Sequence, residues 1–178
     1  MAGGCAGDPG VELQQFKRAD FARLLGWVSN RDDLIGWAGF SFLWPLDKRQ
    51  LDECLASASD DHLIFTFFER TNGQVVGHLD LLINHDHGFG LVNRVFVAPT
   101  ARGRGTCTAM MRLLVSLAFD ELELHRLSLS VFDSNAAAIH CYEHVGFITE
   151  GQLRDTARAG GGYWSSVVMG LLESDRER

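Results

Sequence analysis

Apolar residues along the chain follow two rhythms, one helical and one alternating. Phe21, Leu24, Leu25 and Val28 form a helical stripe behind Asp20, an acidic residue suited to cap a helix. Residues 32–37 read as a second short helical turn. Asp47-x-x-Gln50 resembles a capping box, and Leu51, Cys54, Leu55 and Ala58 follow it at helical spacing. Cys107, Met110, Met111, Leu114, Leu117 and Ala118 build a longer apolar face, and residues 135–144 read as another helix.

The strand rhythm occupies residues 11–16, 63–68, 74–83 and 89–97, the last stopped by Pro99. Asn72-Gly73 is a hairpin signal, because both central positions of a type I′ turn need positive φ. Residues 85–88 read as a second turn. Leu127, Leu129 and Val131 alternate with Ser128 and Ser130, as along a strand with two unlike faces. Residues 146–150 and 163–172 read as two final strands. A helical start, an antiparallel meander and a closing strand-helix alternation predict one α/β or α+β domain with a mixed sheet.

Composition narrows the class. At 178 residues the chain can build one sizeable core. With 46% hydrophobic and 22% charged residues it is ordinary for a globular protein, which argues against a disordered chain. A net charge of -7 disfavours nonspecific binding to nucleic acid or anionic membrane. Cys5, Cys54, Cys107 and Cys141 show no C-x-x-C spacing, so the expectation is reduced thiols and no metal. Residues 1–10 are small and Gly-rich without a basic start, unlike a signal peptide. No apolar run approaches the ~20 residues of a membrane span. The expectation is a cytoplasmic protein: a flexible tail at 1–10, one domain at 11–172 and a charged tail at 173–178.

The most informative stretch runs from Val95, Phe96 and Val97 through Pro99 to Arg102, Gly103, Arg104, Gly105, Thr106, Cys107 and Thr108. A strand ends at a proline, a Gly-rich loop follows, and a helix begins. Amides of a first helical turn are free donors and carry partial positive charge. Gly103 and Gly105 let an anion approach them, and Arg102 and Arg104 add charged donors. A diphosphate fits this pattern. The spacing is neither a P-loop nor a dinucleotide fingerprint.

A second motif, Asn135-x-x-Ala138-x-x-x-Tyr142-x-x-x-Gly146-Phe147, lies on the next strand-helix-strand unit. Asn135 and Tyr142 are seven residues apart, so they project from nearly one helix face about 10 Å apart along the axis. Ala138 between them leaves room for a long thin ligand. Each also has a purely structural reading, Asn135 as a helix cap and Tyr142 as a core tyrosine.

Together these residues resemble the GCN5-related N-acetyltransferase (GNAT) superfamily over roughly residues 11–172, most densely over 91–147. The segment AAAIHCYEHVGFITEG at 136–151 is similar to the bacterial branch of ribosomal-protein N-terminal and spermidine acetyltransferases. The family pattern Gln/Arg-x-x-Gly-x-Gly/Ala reads here as Arg102-x-x-Gly105-x-Cys107, with cysteine at the last position. The resemblance implies a mixed, mostly antiparallel sheet of about six to seven strands with about four helices. It also implies an acetyl-coenzyme A-dependent N-acetyltransferase. Val95, Phe96 and Val97 would bind the pantetheine arm through backbone groups. The loop from Arg102 to Thr108 would bind the pyrophosphate, and Asn135 and Ala138 would line the arm.

By the same resemblance Tyr142 would sit beside the sulfur as general acid. The reaction is direct attack of a neutral amine on the thioester, and a phenol near pKa ~10 can protonate a departing thiolate near ~8.5. No carboxylate lies in residues 91–97, so Asp80 on the neighbouring strand is the first candidate base. His78, His85 and His87 are weaker candidates for the base, each reading first as a surface or turn residue. Trp37, Phe40 and Trp44 are candidate walls of the amine pocket. The acceptor would be a protein N-terminus or a small polyamine-like molecule, with a homodimer left open. The alternative is a noncatalytic acyl-coenzyme A sensor, for which Tyr142 would be superfluous.

Overall fold

The computed structural model describes residues 10–177, so Cys5 and the start of the Gly-rich segment lie outside the described residues. One seven-stranded sheet organises the chain: β1 (Val11–Gln15), β2 (His62–Glu69), β3 (Val75–Asn84), β4 (Phe89–Val97), β5 (Arg126–Phe132), β6 (Ile148–Ala159) and β7 (Gly162–Leu172). Their order in space is β1-β2-β3-β4-β5-β7-β6. Every pairing is antiparallel except β4 with β5. This is the expected mixed sheet.

Five α-helices cover it: α1 (Phe21–Trp27), α2 (Arg31–Ala38), α3 (Lys48–Ala56), α4 (Thr106–Ser116) and α5 (Ala136–Val145). Alternation along the strands sorts two cores. Leu79, Leu81, Leu127 and Met169 pack with Met110, Met111 and Leu114 of α4. Ile64 and Phe96 join Phe21, Leu24, Leu34, Trp37 and Leu51 of the first three helices. Each fully buried leucine contributes about 1.5–3 kcal/mol of transfer free energy. Helix α4 sits so close to the sheet that a Cβ at Gly77 of β3 would meet the Met110 side chain and come within 2.8 Å of the Phe96 carbonyl oxygen.

Several local expectations change. Asp20 does not cap α1 with its side chain; its carboxylate accepts from the Lys17 amide at 2.9 Å and the Thr66 hydroxyl at 3.1 Å. Asn30 caps α2, accepting from the Asp33 amide at 2.8 Å. Asp47 caps α3 as expected, but Gln50 turns to Leu43 and Pro45 instead of closing a capping box. Residues 146–150 are only the start of β6, which runs to Ala159. Residues 173–177 form a 3-10 turn in which Arg176 holds Asp120 through two hydrogen bonds of 2.6 and 3.1 Å. Among the described residues, no helix is long and apolar enough to cross a membrane.

Candidate active site

The site begins where the one parallel ladder stops. Phe89–Val92 of β4 pairs with Arg126–Leu129 of β5, but β4 continues to Val97 and β5 to Phe132 without pairing. The two strands part, and backbone groups on the facing edges lack a strand partner there. Such groups need another partner, which an inserted ligand can supply.

A bulge sharpens the divergence. His78 opposes Phe96 and Asp80 opposes Asn93, so Leu79 faces both Arg94 and Val95. Arg94 takes a left-handed φ of 50°, uncommon for a residue with a side chain. Three contacts hold it. The Trp37 indole N–H donates to the Arg94 carbonyl at 2.7 Å, the guanidinium lies 5.2 Å over the Phe42 ring, and Nη2 donates to the fully buried Asp80 carboxylate.

A cavity of about 320 Å³ fills the fork. Trp37, Phe40 and Ser41 form one side, Asn93, Arg94 and Val95 another, and Leu129, Asn135 and Tyr142 a third, with Leu153, Thr156 and Ser166 of the last hairpin completing it. Tyr142 is 5% exposed. Burial first, then the Cys107 and Cys141 thiols, push its pKa well above the usual phenol value, so it keeps its proton throughout the physiological range. Asn135 caps α5, its carbonyl oxygen accepting from the Ala138 amide at 3.2 Å.

At the mouth of the fork, a 3-10 turn (Pro99–Ala101) leads into the Gly-rich loop. Gly103 and Gly105 have φ of 72° and 76°. A Cβ at Gly103 would meet no heavy atom within 4 Å, so its glycine is required by conformation and not by crowding. No side chain caps α4. Its first-turn amides are therefore open to an anion, while the Thr106 hydroxyl turns away to the Ala101 carbonyl at 2.8 Å.

Comparison with known proteins agrees with this geometry. The family model described as "Acetyltransferase (GNAT) family" matches residues 46–147, more than half of the chain. The chain belongs to the GNAT acetyltransferase family. The spermidine N(1)-acetyltransferase of Vibrio cholerae serotype O1 is 29% identical over 167 residues, 92% of this chain and 94% of that protein. The aminoglycoside N(6')-acetyltransferase type 1 of Klebsiella pneumoniae is 24% identical over 152 residues, 79% of this chain and 75% of that protein. The solved spermidine N-acetyltransferase from Vibrio cholerae, in complex with CoA and spermine, superposes with a TM-score of 0.82 at 22% identity, covering 94% of this chain and 98% of that one. That likeness shows the fold.

In this GNAT enzyme the cavity gathers Val95, Asn135, Tyr142, Trp37 and Phe40 from the residues expected to act together. Others stand apart. Phe96 is a core ring stacked on Trp27, with centroids 5.4 Å apart, and the Arg102 guanidinium lies 5.4 Å from the centroid of the Phe96 ring, its Nε donating to the Val97 carbonyl at 3.2 Å. Ala138 packs partly buried against the core. Trp44 is 44% exposed and is not a cavity wall. Cys141 packs against α4, where its sulfur lies 3.6 Å from the Thr108 hydroxyl and contacts Cys107. That contact and burial raise the Cys107 pKa; neither thiol lines the cavity.

Asp80 is placed differently from a base open to the amine. It has no exposed surface, does not line the cavity and holds Arg94, with His62 Nε2 at 2.9 Å and His78 Nε2 at 3.2 Å. His78 is no surface or turn residue: it is 3% exposed, and burial, then Arg94, lower its pKa to about 3. His62 is also lowered, by burial and then Arg94, and its Nδ1 meets the Ser57 hydroxyl at 3.0 Å. Sequence reasoning missed Arg94 and His62. The available signal was His78 and Asp80 alternating with Leu79 and Leu81 in a strand, which puts both polar groups on one covered face.

Proposed function

We propose that the chain moves the acetyl group of acetyl-coenzyme A to a primary amine held in the same cavity, with Tyr142 as general acid. One observation carries this reading: β4 and β5 part over a cavity that a buried, protonated Tyr142 lines. Acetyl-coenzyme A supplies a thioester, an activated acyl group with a thiolate to leave. Val95 to Val97 lie beyond the β4–β5 ladder, so their edge toward β5 is open to its arm. The uncapped amides of α4, with Gly103 and Gly105 before them and Arg102 and Arg104 beside them, suit its pyrophosphate. Asn135 already gives its carbonyl to the α5 cap, which leaves its amide group for the arm. Ala138 keeps the α5 face low, and Cys107 stands where the family pattern has glycine or alanine.

Tyr142 gives its proton to the departing sulfur. Its raised pKa keeps the phenol loaded until a strong base appears beside it, and a thiolate in a dry cavity is such a base. No carboxylate lines the cavity among the described residues, and Asp80 is occupied by Arg94. The acceptor therefore enters as the neutral amine, its proton lost to water. Trp37 and Phe40 give it an apolar wall. The relatives' names point to small amines as the acceptor class, with a protein N-terminus as the second reading.

Tyr142→Phe tests the assignment. We expect kcat to fall by ~10²-fold while coenzyme A affinity stays nearly unchanged. Equal rates in the two proteins would remove Tyr142 from the chemistry. A noncatalytic sensor is separated by thiol release: it binds acetyl-coenzyme A yet frees no coenzyme A with any amine.

A further inference from the structure

The acetyltransferase reading leaves the acceptor's chemical class open, and the charges around the cavity bear on it. Among the described lining residues, Arg94 is the one ionised side chain; Tyr142 is held neutral, and the remaining polar groups are Asn93, Asn135, Ser41, Ser130, Thr156 and Ser166. Arg94 is buried to a side-chain exposure of 12%. Its hydrogen bonds are one-sided. Nη2 carries the bond to Asp80 and lies 3.2 Å from His62 Nε2. Nε is buried without a partner. Nη1 meets no protein acceptor among the described residues.

A guanidinium has five N–H donors in a planar fork; with Nη2 on Asp80 and Nε buried, Nη1 is the group of Arg94, a residue lining the cavity, left to donate to one carboxylate oxygen. We infer that this enzyme acetylates a small primary amine that carries a carboxylate near the nitrogen, received by Arg94 Nη1, and that polycationic amines are poor acceptors. A polyamine would bring its further ammonium groups beside a guanidinium and find no anionic side chain in the lining to receive them. Asp80 cancels much of the Arg94 charge, so recognition rests on directed hydrogen bonds more than on net field. The position is stiff enough for this task. Arg94 is fixed at both ends, its carbonyl by Trp37 and its Nη2 by Asp80.

The inference rests on the transfer reading, and one experiment separates the two. Release of the coenzyme A thiol is followed with leucine, leucinamide, isoamylamine and spermidine, with rates expressed per concentration of neutral amine. We expect kcat/KM for leucine to exceed that for isoamylamine by about tenfold or more, the scale of one hydrogen bond to a charged group, and spermidine to be slowest. Transfer to isoamylamine or spermidine at least as fast as to leucine overturns the inference and leaves the acetyltransferase reading standing. Thiol release with none of the amines, while coenzyme A still raises the melting temperature, overturns both. Arg94→Gln, whose amide can still donate to Asp80, should bring the leucine to isoamylamine ratio near one while coenzyme A stabilisation is retained. An unchanged ratio in that variant counts against Arg94, and if the variant fails to fold, the wild-type ratio decides.

Discussion

Two walls of the cavity are built on different principles. The β4 wall bulges at Arg94, and its shape is fastened by a cluster of buried polar groups: Asp80, His78, His62 and the Trp37 indole. The hairpin wall is made by β6 and β7. Residues 148–155 of β6 are exposed, Leu153 is 52% exposed, and the strand depends on its ladder with β7. Only the far end of that hairpin is tucked in, where Ala157 and Ala159 pack on Ile35 of α2 and the Gly160 amide donates to Asp32 at 3.2 Å. The contrast teaches where geometry is set. The wall beside the reacting groups is fixed from within the core, at the cost of burying charge. The opposite wall is held by its ladder with β7 and by exposed side-chain ties such as Arg126–Glu150 and Gln152–Asp133, so an outward residue outside those ties, such as Leu153, can change with little penalty to the fold.

The sharpest way to break this contrast is to remove one partner of the buried pair. Asp80→Ala leaves Arg94 desolvated and unpaired, and we expect a loss of about 3–5 kcal/mol in urea unfolding, with Asp80→Asn losing less. A loss under 1 kcal/mol would show that the β4 wall does not depend on the cluster. Next in size is the response to acid. His78 has its folded pKa lowered to about 3, below its unfolded value near ~6.5, so the unfolded chain takes up the proton first. Stability is then complete above about pH 6.5 and falls as pH drops toward 3, at up to ~1.4 kcal/mol per pH unit. Thermal melts between pH 7 and 4 should show the slope, and His78→Gln should flatten it.

Smaller effects sharpen the comparison. Asn135→Ala removes the α5 cap and should cost about 1 kcal/mol together with weaker coenzyme A binding, read by thermal unfolding and titration. Leu153→Ala on the exposed wall should change stability by no more than about 0.5 kcal/mol while raising KM for the amine. A large loss of stability there would erase the distinction between the walls.

The same contrast explains what could be read from the sequence. The α4 stripe, the hairpin at Asn72-Gly73 and the strand stopped before Pro99 were legible because each buries an apolar face or uses a turn residue, although the turn is not type I′: Gly73 has a positive φ of 68° and Asn72 does not. The loop with Gly103 and Gly105 and the α5 motif were legible for the same reason. Strand β6 was not: as an edge strand open to water it carries Thr149, Gln152 and Arg154 without a core pattern, and its register shifts twice. The Arg94–Asp80 pair was hidden by another register shift, since which β4 side chain meets Asp80 depends on a bulge that no periodicity announces. Trp44 was indistinguishable from Trp37 by composition, and only packing separates the exposed ring from the one bound to the bulge.

Gly77 lies beneath all of this and touches none of the cavity. Because hydrogen is the largest substituent that fits between Phe96 and Met110, α4 rests at a fixed depth on the sheet, and the open amides at its start inherit that depth. A single added methyl would act like a shim under a hinge plate, tilting the rim of the fork from below. The height at which a phosphate could be held is thus governed by a residue in the interior, out of reach of any ligand.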